Sequence, residues 1–205
     1  IIAYDILENI YQSYKTTTLK SKRDKCILGL LIYQGITTGE LHRLETEHLV
    51  LTKGKVHIPG TRKRNSRILN LNPTQVLDLH EYVTRVRPVI LKQIPNTRPA
   101  RRPEKINTER IKNQLFISIN GSEHIKNSLL HLFKNLRKTY PQLQNVKQIR
   151  SSVITHWVKE YNLREAQYMA GHKYVSSTER YQVNNLDQLQ SSLEKYHPLN
   201  IEKRH

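Results

Sequence analysis

The spacing of the large apolar side chains constrains the fold of this chain more than any other feature of the sequence. Ile149, Val153 and Trp157 lie four residues apart, which places them on one face of a helix that continues to Tyr161. Similar patterns, with start and stop signals, recur along the chain, so most of it is expected to be helical. Helices are predicted over 3–14, 24–34, 38–45, 73–86, 123–138, 146–161 and 163–170, with a last one around 186–196.

One segment that is rich in basic residues shows a strand pattern instead. An apolar pattern at 50–58 ends at the turn Pro59-Gly60, and a second run follows at 67–71. The residues between them, TRKRNS, would form a strongly basic hairpin tip. Two or three strands are predicted here and a further short strand at 114–118. The predicted fold class is therefore α+β, mostly helical, with a small antiparallel β-sheet.

The segment 88–113 differs in composition from the rest of the chain. It contains four prolines and the pair Arg101-Arg102, and it has few apolar residues that could anchor it to a core. Because prolines interrupt regular structure, we interpret this segment as a long surface loop.

The charge of the chain narrows the class of partner. Lysine and arginine number 34 against 17 aspartates and glutamates, a formal net charge of +17. A field of this sign concentrates polyanions near the protein, and nucleic acid bound in this way releases counterions. No lipidation signal or basic amphipathic anchor favours a membrane surface, and no apolar run approaches the roughly 20 residues needed to span a bilayer. We predict that nucleic acid is the partner, with an acidic protein as the alternative.

Cysteine and histidine usage argues against a metal site. The single cysteine, Cys26, lies in the apolar stretch CILGLLIY and is interpreted as a buried structural thiol in a reducing, cytoplasmic setting. Histidines such as His42, His80 and His156 lack the spacing of metal ligands. No metal and no cofactor is expected.

Four segments resemble, in order and spacing, the conserved motifs of the tyrosine recombinase or phage integrase family. The stretch AGHKYVSSTERY at 170–181 resembles the motif in which a Gly-His pair precedes the nucleophilic tyrosine. The tetrapeptide KQIR at 147–150 stands where the family has His-x-x-Arg, and GITTGEL at 35–41 resembles Gly-x-Arg-x-x-Glu-Leu. The hairpin at 60–71 resembles the segment that carries the family's lysine. The resemblance runs from about 5 to 195.

The resemblance implies a role for each matching residue. Tyr181 would attack a phosphodiester, and Arg150 and His172 would hold a non-bridging oxygen. Lys63 would protonate the leaving oxygen, with Arg62 and Arg64 as close alternatives. The covalent 3′-phosphotyrosyl link would conserve the energy of the broken bond, so that no cofactor is needed.

Each of these residues also has a structural interpretation. A tyrosine after a turn is usually a packing residue, and His172 could simply cap a helix C-terminus. The basic run from Arg62 to Arg64 could be a solvated hairpin tip that contacts phosphates without specificity.

Two positions depart from the family pattern. Thr37 replaces the first arginine, which is the more serious loss, since one transition-state donor contributes several kcal/mol. Lys147 replaces the histidine of the second motif and can still donate to the leaving oxygen or to a phosphate of double-stranded DNA, the partner that the resemblance implies. The basic residues that could compensate for the missing arginine or bind DNA are Arg43, Arg62, Arg64 and Arg67.

The resemblance also predicts how the chain is organised. Residues 1–183 would form the catalytic domain, and 184–205 a C-terminal helix and tail that could dock on a neighbouring protomer in a dimer or tetramer on DNA. A DNA-binding domain is expected to precede Ile1, and an accessory DNA-bending protein is possible in a bacterial, phage or other mobile-element setting. The sheet should lie on one side of the helices. Two alternatives remain open: a DNA-binding protein that has lost cleavage, and relaxation of the type IB topoisomerase kind.

Overall fold

The computed structural model describes residues 1–94, 108–119 and 124–182. The predicted class is confirmed, since these residues are mostly helical and contain one small antiparallel sheet. The helices are α1 (Tyr4–Gln12), α2 (Leu19–Tyr33), α3 (Thr38–Arg43), α4 (Pro73–Glu81), α5 (Arg87–Gln93), α6 (Thr108–Asn113), α7 (Lys126–Thr139), α8 (Val146–Glu160), α9 (Leu163–Ala170) and α10 (176–182).

The sheet has the strand order β1 (Leu49–Val50), β2 (Lys55–Ile58), β3 (Arg67–Asn70). Both pairings are antiparallel, and His57 on β2 lies opposite Ile68 on β3. Alternate side chains of β2 and β3 are buried, because one face of the sheet packs on the helices. The connection between β2 and β3 forms the predicted basic hairpin tip, closed by a bridge between Thr61 and Arg64.

The prediction of a strand at 114–118 is wrong. Only Gln114 forms a bridge, with Glu45, and the residues after it do not pair as a strand. Leu115, Phe116 and Ile117 are all fully buried, so their apolar run reflects a buried extended segment rather than a sheet.

The prediction of a surface loop over 88–113 is wrong at both ends. The helix predicted over 73–86 is confirmed and continues through a π-helical turn, Tyr82–Val86, into α5. Pro88 lies at the start of α5, where the missing N–H of proline is tolerated. The end of this segment forms α6, and 95–107 lie outside the described residues.

Helix α2 lies at the centre of the core, packed against α1, α4 and α8. Cys26 is buried in it, as predicted. The stripe on α8 is confirmed for Ile149, Val153 and Trp157, which are buried, whereas Tyr161 caps the helix and is 47% exposed. The packing of α2 against α8 brings Gly35, just after α2, close to Arg150 in the first turns of α8. None of the helices in the described ranges has both the length and the apolar character needed to cross a membrane.

Candidate active site

An open cavity of about 490 Å³ lies between the basic hairpin tip, the start of α8 and the chain from 172 to 181. Tyr181 lines it together with His172, Lys63 and Arg64. Tyr181 is partly buried against the core, and it is therefore held in place without being enclosed in an apolar interior. The lining of the cavity thus combines two phenols, an imidazole and four basic side chains that come from separate parts of the sequence.

The hairpin tip is fastened to the end of α9 through Gly171. The backbone N–H of Asn65 donates to the Gly171 carbonyl at 3.0 Å, and Arg64 forms a bridge with His172. Gly171 has a φ of +66°, and a Cβ atom there would lie 2.5 Å from Arg67 Nη1. Glycine is therefore required at this position for its backbone conformation and for the close approach of Arg67.

His172 occupies the centre of this arrangement. Its Nδ1 lies 2.9 Å from Thr178 Oγ1, and its Nε2 lies 3.4 Å from Arg150 Nη2. The ring stacks against Tyr181 with 6.2 Å between centroids. Burial, followed by the positive charges of Arg150 and Arg64, lowers the pKa of His172 to about 4. The imidazole is therefore neutral at pH 7.

Arg150 is almost fully buried and links three elements. Its guanidinium donates to the Gly35 carbonyl after α2 and, at 2.6 Å, to the Ala170 carbonyl at the end of α9. Burial, together with the charge of nearby Arg64, lowers the pKa of Arg150 to about 9, so the side chain stays charged at neutral pH.

Thr37, which stands where the family has an arginine, caps α3 and contacts Glu40. The Thr37 N–H and Oγ1 donate to Glu40 Oε2 at 2.8 and 2.9 Å. The other carboxylate oxygen, Oε1, accepts from Arg67 Nη1 at 2.7 Å, and both side chains of this ion pair are fully buried. Burial acts to raise the pKa of Glu40, but its hydrogen bond to Arg67 and the charge of that guanidinium outweigh this and lower the pKa to about 2.

Two of the three guanidinium nitrogens of Arg67 make no hydrogen bond within the described part of the chain. These two atoms of Arg67, Nε and Nη2, are buried. Its charge acts on both Arg150 and His172, so it belongs to the same cluster of side chains.

The remaining candidates lie farther from Tyr181. Lys147 is exposed and does not line the cavity, whereas Ser151, one turn later on α8, does. Arg62 is exposed at the hairpin tip and also does not line it. Arg43 lines a different cavity.

Sequence reasoning did not identify Glu40 and Thr178 as members of the cluster. The partnership of Glu40 with Arg67 joins positions 27 residues apart, and no local pattern indicates it. Thr178 follows His172 by six residues within a Ser/Thr-rich segment, and that composition was the only available signal. Among the described residues, no group of three or more histidine, cysteine or acidic side chains could hold a metal ion.

Comparison with known proteins identifies the same family over most of the chain. The phage integrase family matches residues 2–187. The tyrosine recombinase XerD of Staphylococcus haemolyticus is 26% identical over 198 residues, which cover 94% of this chain and 61% of that protein. XerD of Staphylococcus saprophyticus is 25% identical over 179 residues, covering 86% of this chain and 55% of that protein. The chain therefore spans roughly three fifths of the length of these relatives.

Solved structures with this fold include two recombinases. The XerA recombinase has a TM-score of 0.64 at 16% identity, covering 96% of this chain and 65% of that one. The XerH recombinase bound to its difH substrate before cleavage has a TM-score of 0.63 at 16% identity, covering 88% of this chain and 49% of that one. At this level of identity the likeness concerns the fold alone.

Proposed function

The chain belongs to the phage integrase family of tyrosine recombinases, and we propose that it breaks and rejoins DNA at specific sites through a 3′-phosphotyrosyl intermediate. The observation that carries this proposal is the place of Tyr181, whose ring stacks on His172 beside a cavity that Lys63 and Arg64 also line. Transfer of a phosphodiester gathers negative charge on the non-bridging oxygens, so a nucleophile surrounded by fixed cations and donors suits this reaction.

In the proposed reaction the Tyr181 oxygen attacks the phosphorus and loses its proton, while the bond from phosphorus to the 5′ oxygen breaks. Lys63, which lines the cavity, gives a proton to that departing oxygen. The 5′-hydroxyl of another strand then attacks the phosphotyrosine, and Tyr181 leaves and is reprotonated. One phosphodiester is broken and one is made, so no external energy is required.

Arg150 and His172 are proposed to bind the non-bridging oxygens. Both are buried beside the cavity, and backbone carbonyls hold the Arg150 guanidinium in place. A donor that is already oriented does not have to reorganise as the charge develops, which favours the transition state.

We further propose that Arg67 replaces the arginine that is absent at position 37. It contacts Glu40, the acidic residue of the same motif, and two of its buried guanidinium nitrogens have no hydrogen-bond partner among the described residues. Among the four basic residues considered as substitutes, Arg67 is the one whose side chain is buried in the cluster with Arg150 and His172. Lys147, exposed on the first turn of α8, is proposed to contact the DNA backbone rather than the reacting phosphate.

A nicked suicide duplex tests the function. After cleavage of such a substrate the short fragment diffuses away, and the protein stays attached to DNA in a form that survives denaturing electrophoresis. A pool of duplexes with randomised sequence supplies the unknown site. We expect adducts with the wild-type chain and none with Tyr181→Phe.

Two other tyrosines complete this test. Tyr161→Phe, at the end of α8 and away from the cavity, is the matched control and should leave adduct formation unchanged. Tyr174 is the second phenol on the cavity. Loss of the adduct in Tyr174→Phe, with retention in Tyr181→Phe, would reject Tyr181 as the nucleophile.

A DNA-binding protein that has lost cleavage is the second candidate, and Thr37 is the observation that favours it. That candidate predicts that DNA is bound but that no adduct forms with any duplex of the pool. Relaxation of the topoisomerase kind predicts that a supercoiled plasmid without a cognate site is relaxed. Site-specific recombination predicts adducts on selected sequences and no such relaxation.

Self-association on DNA is a further part of the proposal. The C-terminal segment 184–205, which would dock on a neighbouring protomer, lies outside the described residues. Sedimentation of the chain on a selected duplex, with and without this segment, measures its contribution to a dimer or tetramer. The same experiment with added bacterial DNA-bending protein tests for an accessory factor, as expected for recombination in a bacterial cytoplasm.

A further inference from the structure

Thr178 is a polar side chain that is completely buried at the base of the cluster. It lies on α10, three residues before Tyr181, and its exposed fraction is 0%. Its hydroxyl oxygen lies 2.9 Å from His172 Nδ1. Thr178 therefore connects the helix that carries the proposed nucleophile to the imidazole on which that nucleophile stacks.

The direction of this hydrogen bond follows from the number of protons available. The Thr178 hydroxyl has one proton, and within the described part of the chain His172 Nδ1 is the one hydrogen-bond partner recorded for it. A buried hydroxyl that cannot donate costs about 1–3 kcal/mol. A Thr178 hydroxyl that donates here makes Nδ1 the acceptor, which leaves the proton of the neutral imidazole on Nε2.

The contact on the other side of the ring differs between the two tautomers. Arg150 Nη2 lies 3.4 Å from His172 Nε2, a long distance for a hydrogen bond. An arginine nitrogen and a protonated Nε2 are both donors, so they cannot bond to each other, but they can share one anionic acceptor. In the opposite tautomer Nε2 would accept a hydrogen bond from Arg150. The imidazole would then have no N–H to donate to a phosphate oxygen on this side.

We propose that Thr178 is a positioning residue that holds His172 in the Nε2–H tautomer, so that this N–H and Arg150 together present two donors to one phosphate oxygen. The role in catalysis rests on the proposed function, whereas the tautomer is a property of the folded chain alone. Because burial and the neighbouring arginines keep the ring neutral at pH 7, only one of its nitrogens carries a proton there.

The tautomer can be measured without DNA. In protein with ¹⁵N-labelled histidine, the chemical shifts of the two ring nitrogens at pH 7 report which of them carries the proton, and His172→Gln identifies the resonances. We expect a protonated Nε2 in the wild-type chain and in Thr178→Ser, which keeps the hydroxyl. In Thr178→Val, of nearly the same shape, the Nδ1–H form should gain population, because Arg150 can then donate to a bare Nε2.

Two results would overturn the proposal: a wild-type ring that carries its proton on Nδ1, or a Thr178→Val ring that stays entirely in the Nε2–H form. If the valine variant does not fold, the wild-type spectrum still shows which ring nitrogen of His172 carries the proton. The spectrum of Thr178→Ser then shows whether the hydroxyl alone, without the methyl group of threonine, maintains that tautomer.

The suicide duplex separates this inference from the proposed function. With both correct, Thr178→Val forms adducts about tenfold or more slowly, as is usual when a supporting hydrogen bond is lost, and Thr178→Ser retains most of the rate. Wild-type adducts with an Nδ1–H ring would refute the tautomer and keep the function. An Nε2–H ring without adducts on any duplex would refute the function and keep the tautomer.

Discussion

Arg67 Nη1 lies 2.7 Å from Glu40 Oε1, in an ion pair whose two side chains are both fully buried. The pair joins β3 to α3, and Thr37 holds the second carboxylate oxygen. A buried ion pair contributes little net stability compared with an apolar pair, but the loss of one partner is costly.

Removal of Arg67 alone should destabilise the fold strongly. In Arg67→Met, Glu40 keeps a buried charge without its partner, and the free energy of unfolding should fall by about 3–5 kcal/mol. The double variant Arg67→Met/Glu40→Gln removes both charges and should recover most of this loss. Denaturant unfolding of the two variants measures the difference, and equal stabilities would contradict a coupled pair.

The same double variant tests whether Arg67 takes part in catalysis. If Arg67 only neutralises Glu40, the folded double variant should cleave as fast as the wild type. If it replaces the missing arginine, adduct formation should fall by about 10²-fold or more.

Restoring the family's arginine provides the rescue. Addition of Thr37→Arg to the double variant should recover part of the rate, despite the loss of the α3 cap, which costs about 1 kcal/mol. A double variant that cleaves at the wild-type rate would leave Arg67 with a structural role only.

Acid should weaken the fold through Glu40. The pKa of this carboxyl is lowered from 4.5 to about 2 in the folded chain. The stabilisation is therefore complete above the unfolded pKa of 4.5 and is lost as the pH falls towards 2. At neutral pH the lowered pKa of Glu40 contributes on the order of 3 kcal/mol to the free energy of unfolding. Between pH 6 and pH 2.5 the unfolding free energy of the wild type should therefore fall by more than that of the Arg67→Met/Glu40→Gln variant, which lacks this carboxyl, and equal falls would contradict this assignment.

Gly171→Ala should disturb the site more than a comparable change elsewhere. Gly171 and Gly54 both have positive φ, +66° and +58°. A Cβ at Gly54 would meet only Val76, at 3.9 Å, whereas at Gly171 it would clash with Arg67. Gly54→Ala should therefore cost about 1 kcal/mol of backbone strain, and Gly171→Ala clearly more, together with a loss of adduct formation. Thermal unfolding and the suicide duplex measure both, and equal effects would exclude the close approach as the cause.

A substrate with a bridging sulfur should identify the general acid. A 5′ thiolate leaves without being protonated, so a variant that lacks only the acid should cleave this substrate normally. We expect Lys63→Ala to slow cleavage of ordinary DNA by about 10²-fold and to recover with sulfur. Arg62→Ala, at the same hairpin tip but not lining the cavity, is the control. Recovery in Arg62→Ala or Arg64→Ala instead would move the assignment to that residue.

The local patterns of the sequence were sufficient for most of the helices and for the outline of the site. The spacing of Ile149, Val153 and Trp157 determines which face of α8 is buried, because a helix brings every fourth residue to the same side. Tyr181 lies on the short helix α10, which begins one turn after His172, so the proximity of the two residues also follows from nearby sequence. The apolar run at 115–117 misled the strand prediction, because burial and sheet pairing produce the same pattern there.

The tertiary structure decided which basic side chains meet at the cavity. Arg67 and Glu40 come from different elements, and the packing of β3 over the end of α9 brings them together where Gly171 leaves room. Arg43 and Lys147 are also basic and lie beside or within the motif segments, yet both are exposed and neither lines this cavity. Sequence alone thus determined which residue types were present and which face of α8 is buried. Their convergence depended on long-range packing, because contacts between distant segments arise from the shapes of all the elements between them and leave no periodic signal in the chain.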